Sequence, residues 1–138
     1  GTYKTPLFYT FQLFSNNCLG NSIDTYVRCD TFNTEKYKGI QYLDVTSVYA
    51  QETGTVYVNV VNRHNTNAIA TEIFSHTAAF AGKAEATVIR CESLKDPFAF
   101  ENQKEYIPGM KAIKTAENSL AFSFPPHSIT QIKIGLKK

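Results

Sequence analysis

The chain has 138 residues, a length that fits one domain and leaves little room for two. Apolar residues make up 43% and charged residues 19%, a globular balance that excludes a disordered chain. The net charge is only +2, the lysines and arginines are scattered, and no apolar run approaches the roughly 20 residues that span a bilayer. The composition therefore predicts neither a nucleic-acid partner nor a membrane partner.

The first segment reads as a short helix. Thr5 followed by Pro6 is a typical helix start, with a capping hydroxyl and a proline at the first helical position. The alternation of residues 7, 9, 11 and 13 would also suit a strand, but the Thr-Pro start favours a helix that ends at residues 16–17. The apolar residues then share one helical face: Leu7, Phe8, Phe11, Phe14 and, at its margin, Leu13.

That helical face is very apolar for the end of a chain. We expect Leu7, Phe11 and Phe14 to contact either the rest of this domain or a neighbouring molecule.

Short alternating strands follow the helix. Gly54 supplies a turn in the middle of the chain, and Gly82 is predicted to break the chain before the next strand. The strands are expected at residues 22–30, 41–51, 55–62, 68–76, 84–92, 110–115, 120–124 and 129–136. About eight such strands predict an all-β fold, an antiparallel sandwich of jelly-roll type in which two sheets face each other.

The residues that carry chemistry form no motif. The three histidines, His64, His76 and His127, lack metal-ligand spacing and fall at turns and strand ends, where structural roles are favoured. The cysteines Cys18, Cys29 and Cys91 form no CxxC pair, and buried, inert thiols are the favoured interpretation. There is no GxSxG elbow, no phosphate-binding glycine loop and no motif around a carboxylate pair. We expect no catalytic residue, no metal and no cofactor.

One aromatic stretch is not required by a plain sandwich. Phe98 and Phe100, with Tyr106 nearby, could form a platform on which a sugar stacks, or could pack under a sheet edge or against a neighbouring domain.

Four segments, in order along nearly the whole chain, resemble glycoside hydrolase family 51 α-L-arabinofuranosidases. Residues 5–15 resemble the last barrel helix of that family (TPTYxVFxLF), and residues 54–63 resemble its GTLxVxxVNRS hairpin. Residues 96–106 are similar to its AxNTFENPE loop, although the Asn-Thr-Phe order and the proline are missing. Residues 124–130 resemble its closing LPPHSVTVL corner.

The resemblance implies a C-terminal sandwich, residues 18–138, preceded by a terminal helix, residues 1–17, that belongs to a catalytic (β/α)-barrel. In that family the barrel supplies both catalytic glutamates, so no catalytic position carries over to this chain. Leu7, Phe11 and Phe14 would face the barrel. The expected function is that of a non-catalytic accessory domain of an enzyme that removes terminal α-L-arabinofuranosyl groups from plant polysaccharides. It would support the barrel and contacts between domains or in a homo-oligomer.

The sequence is also compatible with two other functions. A carbohydrate-binding module would bind polysaccharide through exposed Phe98, Phe100 and Tyr106. An adhesive sandwich would pair with partners through an uncharged, open sheet edge. The sequence leaves the compartment open between a secreted or periplasmic and a cytoplasmic bacterial enzyme.

Overall fold

A computed structural model describes residues 4–90, 101, 104 and 107–138. The predicted helix is confirmed as α1 (Pro6–Asn17). The Thr5 Oγ1 accepts a hydrogen bond of 3.3 Å from the backbone N–H of Phe8, and proline occupies the first turn, as the Thr-Pro start predicts. At the other end, the Cys18 N–H donates to the Phe14 carbonyl oxygen at 2.9 Å.

The described part of the chain holds ten strands. They are β1 (Asn21–Ile23), β2 (Thr31–Phe32), β3 (Ile40–Gln41), β4 (Leu43–Ala50), β5 (Thr55–Asn62), β6 (Ile69–Phe74), β7 (Phe80–Ile89), β8 (Gly109–Lys114), β9 (Ser119–Phe124) and β10 (Ser128–Leu136).

The strands form one large sheet and two small ones. The large sheet has six strands in the order β1-β4-β5-β10-β7-β8, and all its neighbours are antiparallel. The antiparallel pairs β6-β9 and β2-β3 form separate two-stranded sheets. The predicted all-β sandwich is confirmed, with ten described strands in place of about eight.

The core lies between the large sheet and the β6-β9 pair. Val60, Ile132 and Ala86 occupy one face of the large sheet and are at most 2% exposed. Leu120 and Phe124 on β9 pack against them and are 3% and 1% exposed. Because a fully buried aliphatic or aromatic side chain contributes about 1.5–3 kcal/mol, these facing layers hold the domain together. We call this side of the large sheet its core face and the opposite side its outer face.

The connection between α1 and β1 depends on a glycine. A Cβ atom at Gly20 would overlap the backbone carbonyl oxygen of Tyr49 on β4. Only glycine lets the chain leave the helix this close to the sheet.

The strand predicted over residues 22–30 is only partly present. β1 ends at Ile23, and residues 24–30 are not paired in a ladder. The alternation is nevertheless real, since Val27 and Cys29 pack against the core while Tyr26 and Arg28 are exposed. The alternation therefore predicts correctly which side of the segment faces the core. It does not predict that the segment lacks a strand partner.

The predicted break at Gly82 is wrong. β7 runs from Phe80 to Ile89 through Gly82, whose φ is +97°. The register against β10 shifts here, with Ala84 opposite Ile134 and Phe80 opposite Leu136. Extra residues on one strand make a β-bulge, and glycine at positive φ accommodates it without ending the strand.

Within the residues the structure describes, no helix has the length and apolar character needed to cross a membrane.

Candidate functional site

A network of amide side chains attaches α1 to the outer face of the large sheet. Asn59 and Gln131 alternate with the core residues of β5 and β10, so they point to the outer face, yet they are only 4% and 3% exposed. The Gln131 Nε2 donates to the Asn59 Oδ1 at 2.7 Å, and the Asn17 Nδ2 donates to the Gln131 Oε1 at 2.8 Å. Both sheet amides also donate to the Cys18 Sγ at 3.4 Å. The C-terminal end of the helix is therefore fixed by polar contacts.

One side of the helix is half-buried in the isolated chain. From residue 10 to the end of the helix, the partly buried residues share a face at helical spacing; they are Thr10, Leu13, Phe14 and Asn17. Leu7 and Phe11 are 64% and 67% exposed. Of the three residues expected to act together, only Phe14 is half-buried.

Leu7, Phe8 and Phe11 make an exposed apolar surface, which we call the helix patch. Phe8 is 40% exposed. One exposed apolar residue is ordinary on a protein surface, whereas several on adjacent turns indicate a surface that another molecule covers. That a catalytic barrel covers the helix patch remains a prediction.

The turn after β5 and the corner before β10 are joined through Asn62. Its Nδ2 donates to the carbonyl oxygens of Asn67, Phe124 and Pro125 at 3.2, 3.0 and 3.0 Å, and its Oδ1 accepts from the His64 N–H at 2.9 Å. The side chain holds the two connections at one end of the sandwich together.

His64 and His127 have the structural roles that their positions predict. The His64 Nδ1 accepts from the backbone N–H groups of Thr66 and Asn67 at 3.2 and 3.0 Å. The His127 N–H donates to the His64 carbonyl oxygen at 2.9 Å, and its φ is +38°. His76 is exposed just beyond β6. Among the described residues there is no group of three or more histidine, cysteine or acidic side chains that could hold a metal ion.

The expectation of buried cysteines is wrong for the two that the structure describes. Cys18 and Cys29 are free thiols and half-buried. Cys18 lies at the junction of helix and sheet, and Cys29 lies in a surface segment whose inner side alone meets the core. Cys91 lies outside the described residues.

The aromatic residues predicted to contact sugar or a neighbouring domain, Phe98, Phe100 and Tyr106, lie outside the described residues. Among the described residues, an open groove of about 720 Å³ separates β8 from the β6-β9 pair. Its walls include Phe122, Glu72 and Lys111. Among the described strands, β8 lies at one edge of the large sheet, and its Lys111 and Lys114 discourage pairing with a further strand.

The described architecture defines a class of protein: an antiparallel β-sandwich domain with a helix attached to its outer face. The chain belongs to the α-L-arabinofuranosidase C-terminal domain family, whose model matches residues 1–128. A search of the curated protein sequences finds no match.

Solved structures share the fold at low sequence identity. The α-L-arabinofuranosidase from Thermotoga maritima, solved as an arabinose complex, is 19% identical with a TM-score of 0.80, over 93% of this chain and 28% of that one. AbfB, a family 51 α-L-arabinofuranosidase from Bifidobacterium longum, is 17% identical with a TM-score of 0.79, over 92% of this chain and 25% of that one. A further arabinofuranosidase crystal structure has a TM-score of 0.81 at 19% identity, over 97% of this chain and 30% of that one. The chain thus spans less than a third of each of these proteins.

Proposed function

We propose that this chain is the non-catalytic, accessory C-terminal domain of an α-L-arabinofuranosidase, and that its helix packs against the catalytic barrel of the same protein. The parent would hydrolyse terminal α-L-arabinofuranosyl residues of plant polysaccharides. The observation that carries the proposal is the family match over residues 1–128, and the similar structures extend well beyond the part that this chain covers.

The helix patch supports the barrel contact. The polar network fixes α1 at Asn17 and Cys18, while the apolar residues of its first two turns remain uncovered. A barrel that covered Leu7 and Phe11 would remove two large side chains from water, worth about 1.5–3 kcal/mol for each one fully buried. The same surface would serve an oligomer contact if a second copy covered it.

The experiment compares hydrolysis by the isolated chain and by the longer protein that contains it. Release of 4-nitrophenol from 4-nitrophenyl α-L-arabinofuranoside is followed for both at equal molar concentration. We expect hydrolysis by the longer protein alone, because the proposal assigns both catalytic carboxylates to the barrel. Hydrolysis by the purified isolated chain would overturn the accessory assignment, and failure of the longer protein to hydrolyse the arabinoside would overturn the assigned parent activity.

A further inference from the structure

A row of four side chains points outward from the segment that follows β1. Asp24, Tyr26, Arg28 and Asp30 are all exposed, and Tyr26 reaches 91% exposure. Within the described residues, no hydrogen bond or ion pair involves the side chains of these two aspartates or Arg28. We call these four residues the tyrosine row.

The backbone beneath the row is fixed at three points. The Thr25 Oγ1 donates to the buried Ser47 Oγ at 3.0 Å, the Val27 carbonyl oxygen accepts from the Gln41 Nε2 at 3.1 Å, and the Asp30 carbonyl oxygen accepts from the Tyr42 N–H at 3.1 Å. Val27 and Cys29 also pack against the core. The backbone of the row is therefore held in place before any ligand arrives, which reduces the entropic cost of binding.

The row and the helix patch lie on opposite sides of the large sheet. Ser47 is opposite Val58 in the β4–β5 register, so Thr25 reaches the core face, whereas Asn59 and Gln131 hold α1 on the outer face. A partner that covers the helix patch would leave the tyrosine row open to solvent.

We propose that the tyrosine row binds a neutral polysaccharide chain. An exposed tyrosine offers an apolar ring face on which a sugar ring can stack, and the flanking carboxylates and guanidinium can accept and donate hydrogen bonds to hydroxyl groups. Neighbouring members of the row are two residues apart, about 6.6 Å in an extended chain, so the row spans several sugar units. The row carries two carboxylates and one guanidinium, so its charge does not attract a polyanion. This argues against nucleic acids and acidic polysaccharides as ligands.

The test is affinity electrophoresis of the 138-residue chain through native gels that contain soluble arabinoxylan, polygalacturonate or no polymer. We expect arabinoxylan to retard the chain, and Tyr26→Ala to weaken that binding about tenfold, the loss of one good aromatic contact. Phe74→Ala is the matched control, because Phe74 is another exposed aromatic, at 59%, and lies on β6, away from the row. Arabinoxylan should retard the Phe74→Ala chain as strongly as the unchanged chain.

Four results would overturn the proposal. The first is migration that arabinoxylan does not change, and the second is retardation that Tyr26→Ala leaves intact. The third is retardation by polygalacturonate alone, which would indicate charge-driven binding. The fourth is self-association that Tyr26→Ala abolishes, which would make the row an interface between copies. Sedimentation equilibrium of the unchanged chain and of the Tyr26→Ala chain detects it. Thermal unfolding of the Tyr26→Ala chain should match that of the unchanged chain, because the side chain packs against little.

Discussion

Asn62 is a small side chain with a large structural role. It is 1% exposed at the end of β5, and its amide group joins the β5–β6 turn to the corner between β9 and β10. The sequence offers no direct signal for this, because an asparagine beside a turn is ordinary. The role depends on the corner at residues 124–128, which is brought to Asn62 only when β10 pairs with β5.

We predict that Asn62→Ala destabilises the isolated chain by about 2–4 kcal/mol, since buried carbonyl oxygens lose their donor and the His64 N–H loses its acceptor. Urea unfolding followed by far-ultraviolet circular dichroism measures the change. Asn65→Ala is the control, because Asn65 is exposed and contributes only its carbonyl oxygen to the corner. Equal stability of the two variants would show that the Asn62 amide does not hold the corner.

At the scale of the secondary-structure elements, the last turn of α1 attaches the helix to the large sheet. Asn17 donates to the Oε1 of Gln131, whereas its neighbour Asn16 is exposed and faces away from the sheet. We predict that Asn17→Ala lowers the free energy of unfolding by about 1 kcal/mol relative to Asn16→Ala. The two substitutions change helix propensity alike, so the difference isolates the contact. Chemical denaturation of the two variants side by side is the measurement, and indistinguishable midpoints would contradict the role given to the network.

The elements that the sequence predicts well are those whose local signals agree. β5 is found at its predicted bounds, because its apolar alternation follows directly on the Gly54 turn, and α1 is found where the Thr-Pro start predicts it. Residues 24–30 alternate as a strand does but have no ladder partner, and pairing is a tertiary property that alternation alone does not contain. Gly82 reads as a break locally, and the pairing of β7 with β10 turns it into a bulge.

The outer face of the large sheet was the least predictable part of the candidate site. Asn59 and Gln131 are polar residues at alternate positions, which the sequence pattern assigns to solvent, and they are buried because a helix from the other end of the chain covers them. Their burial then decides which side of α1 faces inward. Phe14 is turned toward the sheet, and Leu7 and Phe11 are left outside, although all three share one apolar stripe in the sequence.

For the whole molecule, the two sides of the sandwich offer different surfaces. The outer side carries the apolar helix patch, which suits a protein partner held permanently in place. The other side carries the tyrosine row, whose aromatic and charged groups suit a reversible ligand. A domain with this division could support a barrel and contact polysaccharide at once, with no residue shared between the two roles.

The measurement that tests the central claim most directly is the effect of Leu7→Ser with Phe11→Ser on thermal unfolding, in the isolated chain and in the longer protein. In the isolated chain both side chains are exposed, so we predict only the helix-propensity cost, at most about 1 kcal/mol, similar per residue to the control Gln12→Ser. In the longer protein the same pair should cost about 3 kcal/mol or more, because the proposed barrel contact would lose two buried apolar groups. An equally small effect in both proteins would show that the barrel does not cover the helix patch and would contradict the account.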